Sequence, residues 1–161
     1  MKNVHALRWM IAIALIVILA DQFSKYAMLY WVEIAARPPI VVTSWFTLVM
    51  VWNQGISFGI LNHPETYVPY FLILVAMTIS AVLARLGLRS DKKIEWIGYS
   101  LIIGGAMGNV IDRLRFGAVA DFFYFHLGTL GWPAFNVADA AICVGVCILL
   151  FHSLFFTRKP A

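Results

Sequence analysis

Charge is what this chain has least of. Of its 161 residues, 12% are Asp, Glu, Lys or Arg and 62% are apolar. Soluble domains carry about 25% charged residues, so a water-soluble globular protein is a poor reading. A mean hydropathy of +0.85 points instead to an integral membrane protein, of a length that suits one membrane-embedded domain, residues 1–161. Cysteine is scarcer still. Cys143 and Cys147 are the only two, in the apolar run AAICVGVCILLF. Four apart, they share a helix face, but the run itself offers no further His, Cys or carboxylate to complete a metal site. They read as small hydrophobes in ordinary packing. The four His, at 5, 63, 126 and 152, fall in no HExxH pattern, and GxSxG is absent too. The sequence therefore leads us to expect no metal, no cofactor and no nucleophilic Ser or Cys. The surplus of +4 comes from 12 Lys and Arg beside hydrophobic runs rather than in an aromatic-laced basic patch, which argues against a nucleic-acid partner.

What is present is apolar runs. A membrane helix needs about 20 mostly apolar residues. Four segments qualify, near 9–31, 67–86, 95–113 and 138–156. The first is too long for the h-region of a cleaved signal peptide and carries Asp21 and Lys25. The third carries Gly104 and Gly108, whose spacing lets another helix approach closely; GGAMGN lacks the Lys-Ser/Thr ending of a phosphate-binding loop. Residues 122–138 read as a loop because of Gly128, Gly131 and Pro133. Residues 38–64 open rich in Val, Thr, Trp and Phe, which favours strand. Four spans put Lys2, Arg8, Arg85, Arg89, Lys92, Lys93, Arg158 and Lys159 on one side, 8 of the 12 basic residues. That is the cytoplasmic side by the positive-inside rule. A fifth span through 38–64 would send the 85–93 cluster outward. The expected fold is an all-α membrane protein of four transmembrane helices, both termini cytoplasmic, with a small strand-rich element on the outer face.

The few polar residues of the spans gather near the outer boundary. Ionisable groups inside a membrane are costly and usually face a bundle interior or a water-filled cavity. Asp21 and Lys25 share a face, and so do Asn109 and Arg113. Asn53 and Ser57 precede the second span. Each has a structural explanation: Asp21–Lys25 as an ion pair, Asp112 as the partner of a neighbouring base, Asn136 and Asp139 as a helix cap close to a capping box. Asp121, in AVADFFYF, resists that explanation. Apolar surroundings disfavour its charged form and raise its pKa above the reference of about 3.9. If Asp139 lies beside it, the two carboxylates would share one proton. One could then take a proton from water while the other donates to a carbonyl oxygen, which suffices for amide hydrolysis without a metal.

Five blocks taken together carry a resemblance: DQFSK at 21–25, NQGISFG at 53–59, GGAMGNVIDR at 104–113, GAVADF at 117–122 and PAFNVADA at 133–140. In order, spacing and placement on four spans the chain resembles the bacterial lipoprotein signal peptidases (signal peptidase II) over nearly its whole length. The resemblance implies an intramembrane aspartic endopeptidase of the bacterial cytoplasmic (inner) membrane. It would cut a prolipoprotein before a diacylglyceryl-modified cysteine, at a site near the outer face, with membrane lipid and lipid-modified prolipoproteins as partners. The family's catalytic pair falls on Asp121 and Asp139. Its supporting and substrate-binding positions fall on Asp21, Lys25, Asn53, Gly55, Asn109, Arg113, Asn136 and Ala138. A monomer is expected. The rival readings are a small proton-coupled transporter and a non-catalytic assembly factor. A transporter would place polar residues through the full depth of the bilayer, whereas the inner halves of these spans are almost wholly apolar.

Overall fold

The computed structural model describes residues 2–55 and 67–156. Ser57, His63, Arg158 and Lys159 lie outside the described residues. The chain begins with α1 (Lys2–Tyr26), which passes into a π-helical turn (Ala27–Trp31) and then a 3-10 turn (Ile34–Ala36). Strands β1 (Ile40–Thr43) and β2 (Phe46–Asn53) follow, then helices α2 (Val68–Arg89) and α3 (Lys93–Phe116). Strands β3 (Val119–Leu127) and β4 (Leu130–Gly131) lead into α4 (Val137–Phe156). Among the described residues, four helices are long and apolar enough to cross a membrane: Val4–Trp31, Val68–Arg89, Lys93–Phe116 and Val137–Phe156. The four expected runs coincide with these helices to within five residues at either end.

Local chemistry sets the helix boundaries. Pro69 stands in the first turn of α2, where its missing N–H breaks no intrahelical bond. Gly117 ends α3 with φ of +70°, its N–H donating to the Arg113 carbonyl at 3.0 Å, a left-handed cap that favours glycine. Large apolar side chains such as Leu15, Ile16, Leu19, Phe71 and Leu74 point outward and are exposed, as the surface of a bundle in lipid should be.

The most buried of the four is α3, with 44% of its apolar window covered against 22%, 11% and 11% for the others. Its glycines allow this. A Cβ on Gly104 would lie 2.8 Å from the Cβ of Val17 and 2.9 Å from the Ala14 carbonyl oxygen. A Cβ on Gly105 would meet the Ala138 carbonyl and, at 2.8 Å, Ile142. Thus α1 and α4 both press against the backbone of α3, as small residues permit.

The strands form one antiparallel sheet in the order β1-β2-β3-β4, at the end of the bundle where α1 and α3 finish and α2 and α4 begin. The strand expectation for the start of 38–64 is met by β1 and β2. The loop expectation for 122–138 is not. Val119–Leu127 is a strand, with Asp121 opposite Val51 and Phe123 opposite Leu48 on β2. Gly128, with φ of +59°, belongs to the turn joining β3 to β4 rather than to a long loop. Aromatic residues overrode the turn signal: Phe125 stacks on Phe46 and Trp45 with ring centroids 4.8 and 5.7 Å apart. The packing expected for Cys143 and Cys147 also needs correction. Both are free and exposed on α4, on the surface that lipid would cover.

Candidate active site

 

Among the described residues nine polar or charged side chains are buried; Thr47, Ser80 and Ser100 stand apart, and the other six, Asp21, Lys25, Asn109, Asp112, Asp121 and Asn136, form one cluster. They meet where α1, α3, β3 and the start of α4 converge. In this apolar setting each buried polar group needs a partner.

The foundation is an ion-pair triad. Lys25 Nζ lies 2.8 Å from Asp21 Oδ2 and 2.8 Å from Asp112 Oδ2, tying α1 to α3. It also donates to Asn109 Oδ1 at 3.1 Å. Each carboxylate then grips a backbone. Asp21 Oδ1 accepts the Ala138 N–H at 3.0 Å, and Asp112 Oδ2 accepts the Ala120 N–H at 3.2 Å. The first contact seats the start of α4; the second seats β3 one residue before Asp121. Ala138 is fully buried, and its Cβ faces Gly108, so a larger side chain would push α4 away from α3.

Above this foundation two asparagines connect two carboxylates. Asn136 Nδ2 donates to Asp121 Oδ1 at 2.7 Å, to the Ala120 carbonyl at 3.3 Å and to Asn109 Oδ1 at 3.2 Å. Asn109 Nδ2 donates to Asp139 Oδ1 at 2.8 Å. Asp121 and Asp139 are therefore joined through Asn136 and Asn109. The other Asp121 oxygen accepts from Asn53 Nδ2 at 3.0 Å, so β2 also orients it. Burial pushes the Asp121 carboxyl up to about 6, and the Asp139 charge adds to the rise; hydrogen bonds from Asn53 and Asn136 and the Lys25 charge oppose it. A carboxyl whose pKa lies near 6, with a second carboxylate close by, is suited to acid–base chemistry.

Gly55 and Arg113 border the site. The Gly55 N–H donates to Asn53 Oδ1 at 2.8 Å, closing a turn in which Gly55 has φ of +86°. A Cβ there would collide with Leu72 and lie 3.7 Å from Arg113 Nη2. Arg113 Nη1 donates to the Asn109 carbonyl at 3.5 Å, and the guanidinium feels the charges of Asp139, Asp112 and Asp121. Among the described residues no carboxylate forms an ion pair with it, and its buried Nε has no hydrogen-bond partner.

All ten residues singled out in the sequence are thus brought to one region. Asp112 does pair with a neighbouring base, Lys25, but it also anchors β3. Gln22 was missed. Its Nε2 donates to Asp21 Oδ2 at 3.1 Å, Asp112 Oδ1 at 3.0 Å and the Gly108 carbonyl at 3.2 Å. Its signal was its mere presence, an amide beside Asp21 in an apolar span. No group of three or more His, Cys, Asp or Glu that could hold a metal occurs among the described residues.

A four-span bundle with a small sheet at one end is the architecture of two solved proteins, each described as a bacterial membrane enzyme. One superposes with a TM-score of 0.75 at 25% identity, covering 94% of this chain and 93% of that one. The other gives 0.74 at 26% identity, covering 92% and 94%. With four helices apolar enough to cross a membrane, the class this fold defines is that of multi-pass membrane proteins. The family model for signal peptidase (SPase) II matches residues 13–155. The lipoprotein signal peptidase of Rhodopseudomonas palustris (strain TIE-1) is 45% identical over 146 residues, 88% of each chain. That of Nitrobacter hamburgensis is 41% identical over 159 residues, 96% of each. The chain belongs to the signal peptidase II family, and it is a peptidase.

Proposed function

We propose that this peptidase removes signal peptides from diacylglyceryl-modified prolipoproteins, cutting before the lipidated cysteine, with Asp121 and Asp139 as its catalytic carboxylates. The observation that carries the reading is the linkage of those two carboxylates through Asn136 and Asn109, with Asp121 held at about 6. The pair shares one proton. The ionised carboxylate takes a proton from water as its oxygen attacks the scissile carbonyl carbon. The protonated one donates to the carbonyl oxygen, giving a neutral tetrahedral gem-diol. Collapse of that intermediate breaks the C–N bond, with a proton passing to the departing amine.

The remaining residues hold this pair in place. Asn53, Asn109 and Asn136 orient the carboxylates, and Asp21 and Lys25 seat α4 through Ala138. Arg113, whose Nε has no hydrogen-bond partner among the described residues, and the Gly55 turn beside it would receive the substrate backbone. The protein would work as a monomer in the bacterial cytoplasmic membrane. Its basic helix ends would be cytoplasmic and its sheet on the outer face, where the substrate's lipidated cysteine would lie. Purified protein incubated with a lipidated prolipoprotein should yield the shortened product. An intact precursor, with folded enzyme in excess, would overturn the reading.

A further inference from the structure

At the other end of the bundle, far along α1 and α3 from the aspartates, two depressions meet at Trp9. One, of about 260 Å³, is lined by Trp9, Ile13, Lys93, Trp96 and Ile97. The other, of about 340 Å³, is lined by His5, Arg8, Trp9 and Ala12. Trp9 and Ile13 are one turn apart on α1, and Lys93 and Ile97 are one turn apart on α3. The first depression is therefore a groove between two helices, with apolar walls and a cation at its rim.

The groove is built rather than loose. Trp96 packs on Ala6 and Met10, and its Nε1 donates to the Ser90 carbonyl at 2.9 Å. Trp9 Nε1 donates to His5 Nε2 at 3.0 Å; since an indole can only donate, this His5 nitrogen is the acceptor. Both tryptophan N–H groups are thus satisfied, and their rings are left as apolar walls. The cations are in the opposite condition. Arg8 and Lys93 are exposed, and among the described residues neither has a carboxylate in ion-pair range, although the neighbouring Lys92 pairs with Glu95 at 3.5 Å.

We propose that this groove binds an anionic glycerophospholipid, one acyl chain against Trp9, Ile13 and Ile97 and the phosphate held by Lys93 and Arg8. Charge complementarity selects the occupant. Apolar walls at membrane depth accept any acyl chain, but Lys93 in the groove and Arg8 in the depression that shares Trp9 with it, neither ion-paired among the described residues, favour a headgroup with net negative charge. Basic pockets between transmembrane helices bind anionic headgroups on these grounds, and long basic side chains reach the headgroup level while their stems stay in lipid.

Native mass spectrometry on the full-length protein tests this. The protein, in detergent, would be given equimolar phosphatidylglycerol and phosphatidylcholine with identical acyl chains. Wild type should retain phosphatidylglycerol over phosphatidylcholine by roughly tenfold. The double variant Arg8→Gln/Lys93→Gln should lower that ratio to near one. Both side chains are exposed, so the fold should survive, and circular dichroism would check it. The charge-matched control Arg85→Gln/Arg89→Gln should keep the wild-type ratio. A wild-type ratio near one, an unchanged ratio in the first variant, or an equal loss in the control would each overturn the proposal.

Discussion

The backbone N–H of Asp139 donates to Asn136 Oδ1 at 2.9 Å, and the backbone N–H of Asn136 donates to Asp139 Oδ2 at 3.3 Å. This reciprocal pair is a capping box at the start of α4. It leaves Asp139 Oδ1 for Asn109. The structural explanation for Asp139 and the proposed catalytic one are therefore compatible: the cap holds one oxygen and so aims the other.

If Asp121 and Asp139 share a proton, an amide can replace neither. Asp121→Asn and Asp139→Asn should each lower kcat by at least about 100-fold, since loss of a general acid or base usually removes 10²–10⁴-fold. Cleavage of a lipidated prolipoprotein by the purified variants is the measurement. Activity within about tenfold of wild type would remove the residue concerned from the chemistry.

Asp121 also links pH to stability. Its folded pKa, about 6, lies above the model-compound value of 3.8. A carboxyl with a raised pKa favours the folded state at low pH, and that contribution is lost as pH rises through about 6. Asp121→Asn, which cannot ionise, should therefore gain Tm relative to wild type at pH 7 and much less at pH 4. The difference corresponds to at most about 3 kcal/mol. Equal Tm offsets at both values would show that Asp121 titrates normally.

Lys25 neutralises two buried carboxylates. Lys25→Met should destabilise the protein by about 3–5 kcal/mol, the usual effect of breaking a buried pair from one side. Adding Asp21→Asn should recover part of that loss by removing one uncompensated charge. Thermal or denaturant unfolding in detergent reads both, and a Lys25→Met variant as stable as wild type would contradict the triad.

The proposed orientation is open to labelling. With Cys143 and Cys147 replaced by Ser, a single cysteine introduced as Trp45→Cys or Gly128→Cys should react with an impermeant thiol reagent outside intact spheroplasts. One introduced as Arg89→Cys should react only after lysis. The reverse pattern would invert the topology.

The substrate's lipid should govern turnover. Acyl chains lying in the bilayer would set the depth of the scissile carbonyl against the carboxylates, and such orientation lowers barriers. An unlipidated precursor should be cut at least about 100-fold less efficiently, roughly 2.7 kcal/mol of transition-state stabilisation. Equal kcat/KM for the two precursors would show that the lipid is not recognised.

Much of this protein was legible in one dimension. Spans of about 20 apolar residues can be satisfied in lipid only as helices, so the four helices followed from hydropathy. The Asn136–Asp139 cap and the Asp21–Lys25 pair are local, three and four residues apart, and helix geometry alone brings such residues together. The strand through Asp121 was less legible. Gly128 and Gly131 argued for a loop, whereas Val119–Leu127 gains its order from pairing with β2, a partner some 70 positions away that local propensity cannot register.

Only the tertiary structure decided how these pieces become a site. The Ala138 N–H meets Asp21 across 117 positions, Asn53 meets Asp121 across 68, and Asn109 meets Asp139 across 30. Gln22, unremarkable in the sequence, proves to bridge α1 and α3. The physical reason is the same in each case. A buried polar group must find a partner wherever the fold provides one, and which groups come within 3 Å depends on how closely α1 and α4 settle against the glycines of α3. The sequence determined which residues were costly to bury; the packing of the helices determined what they were buried against.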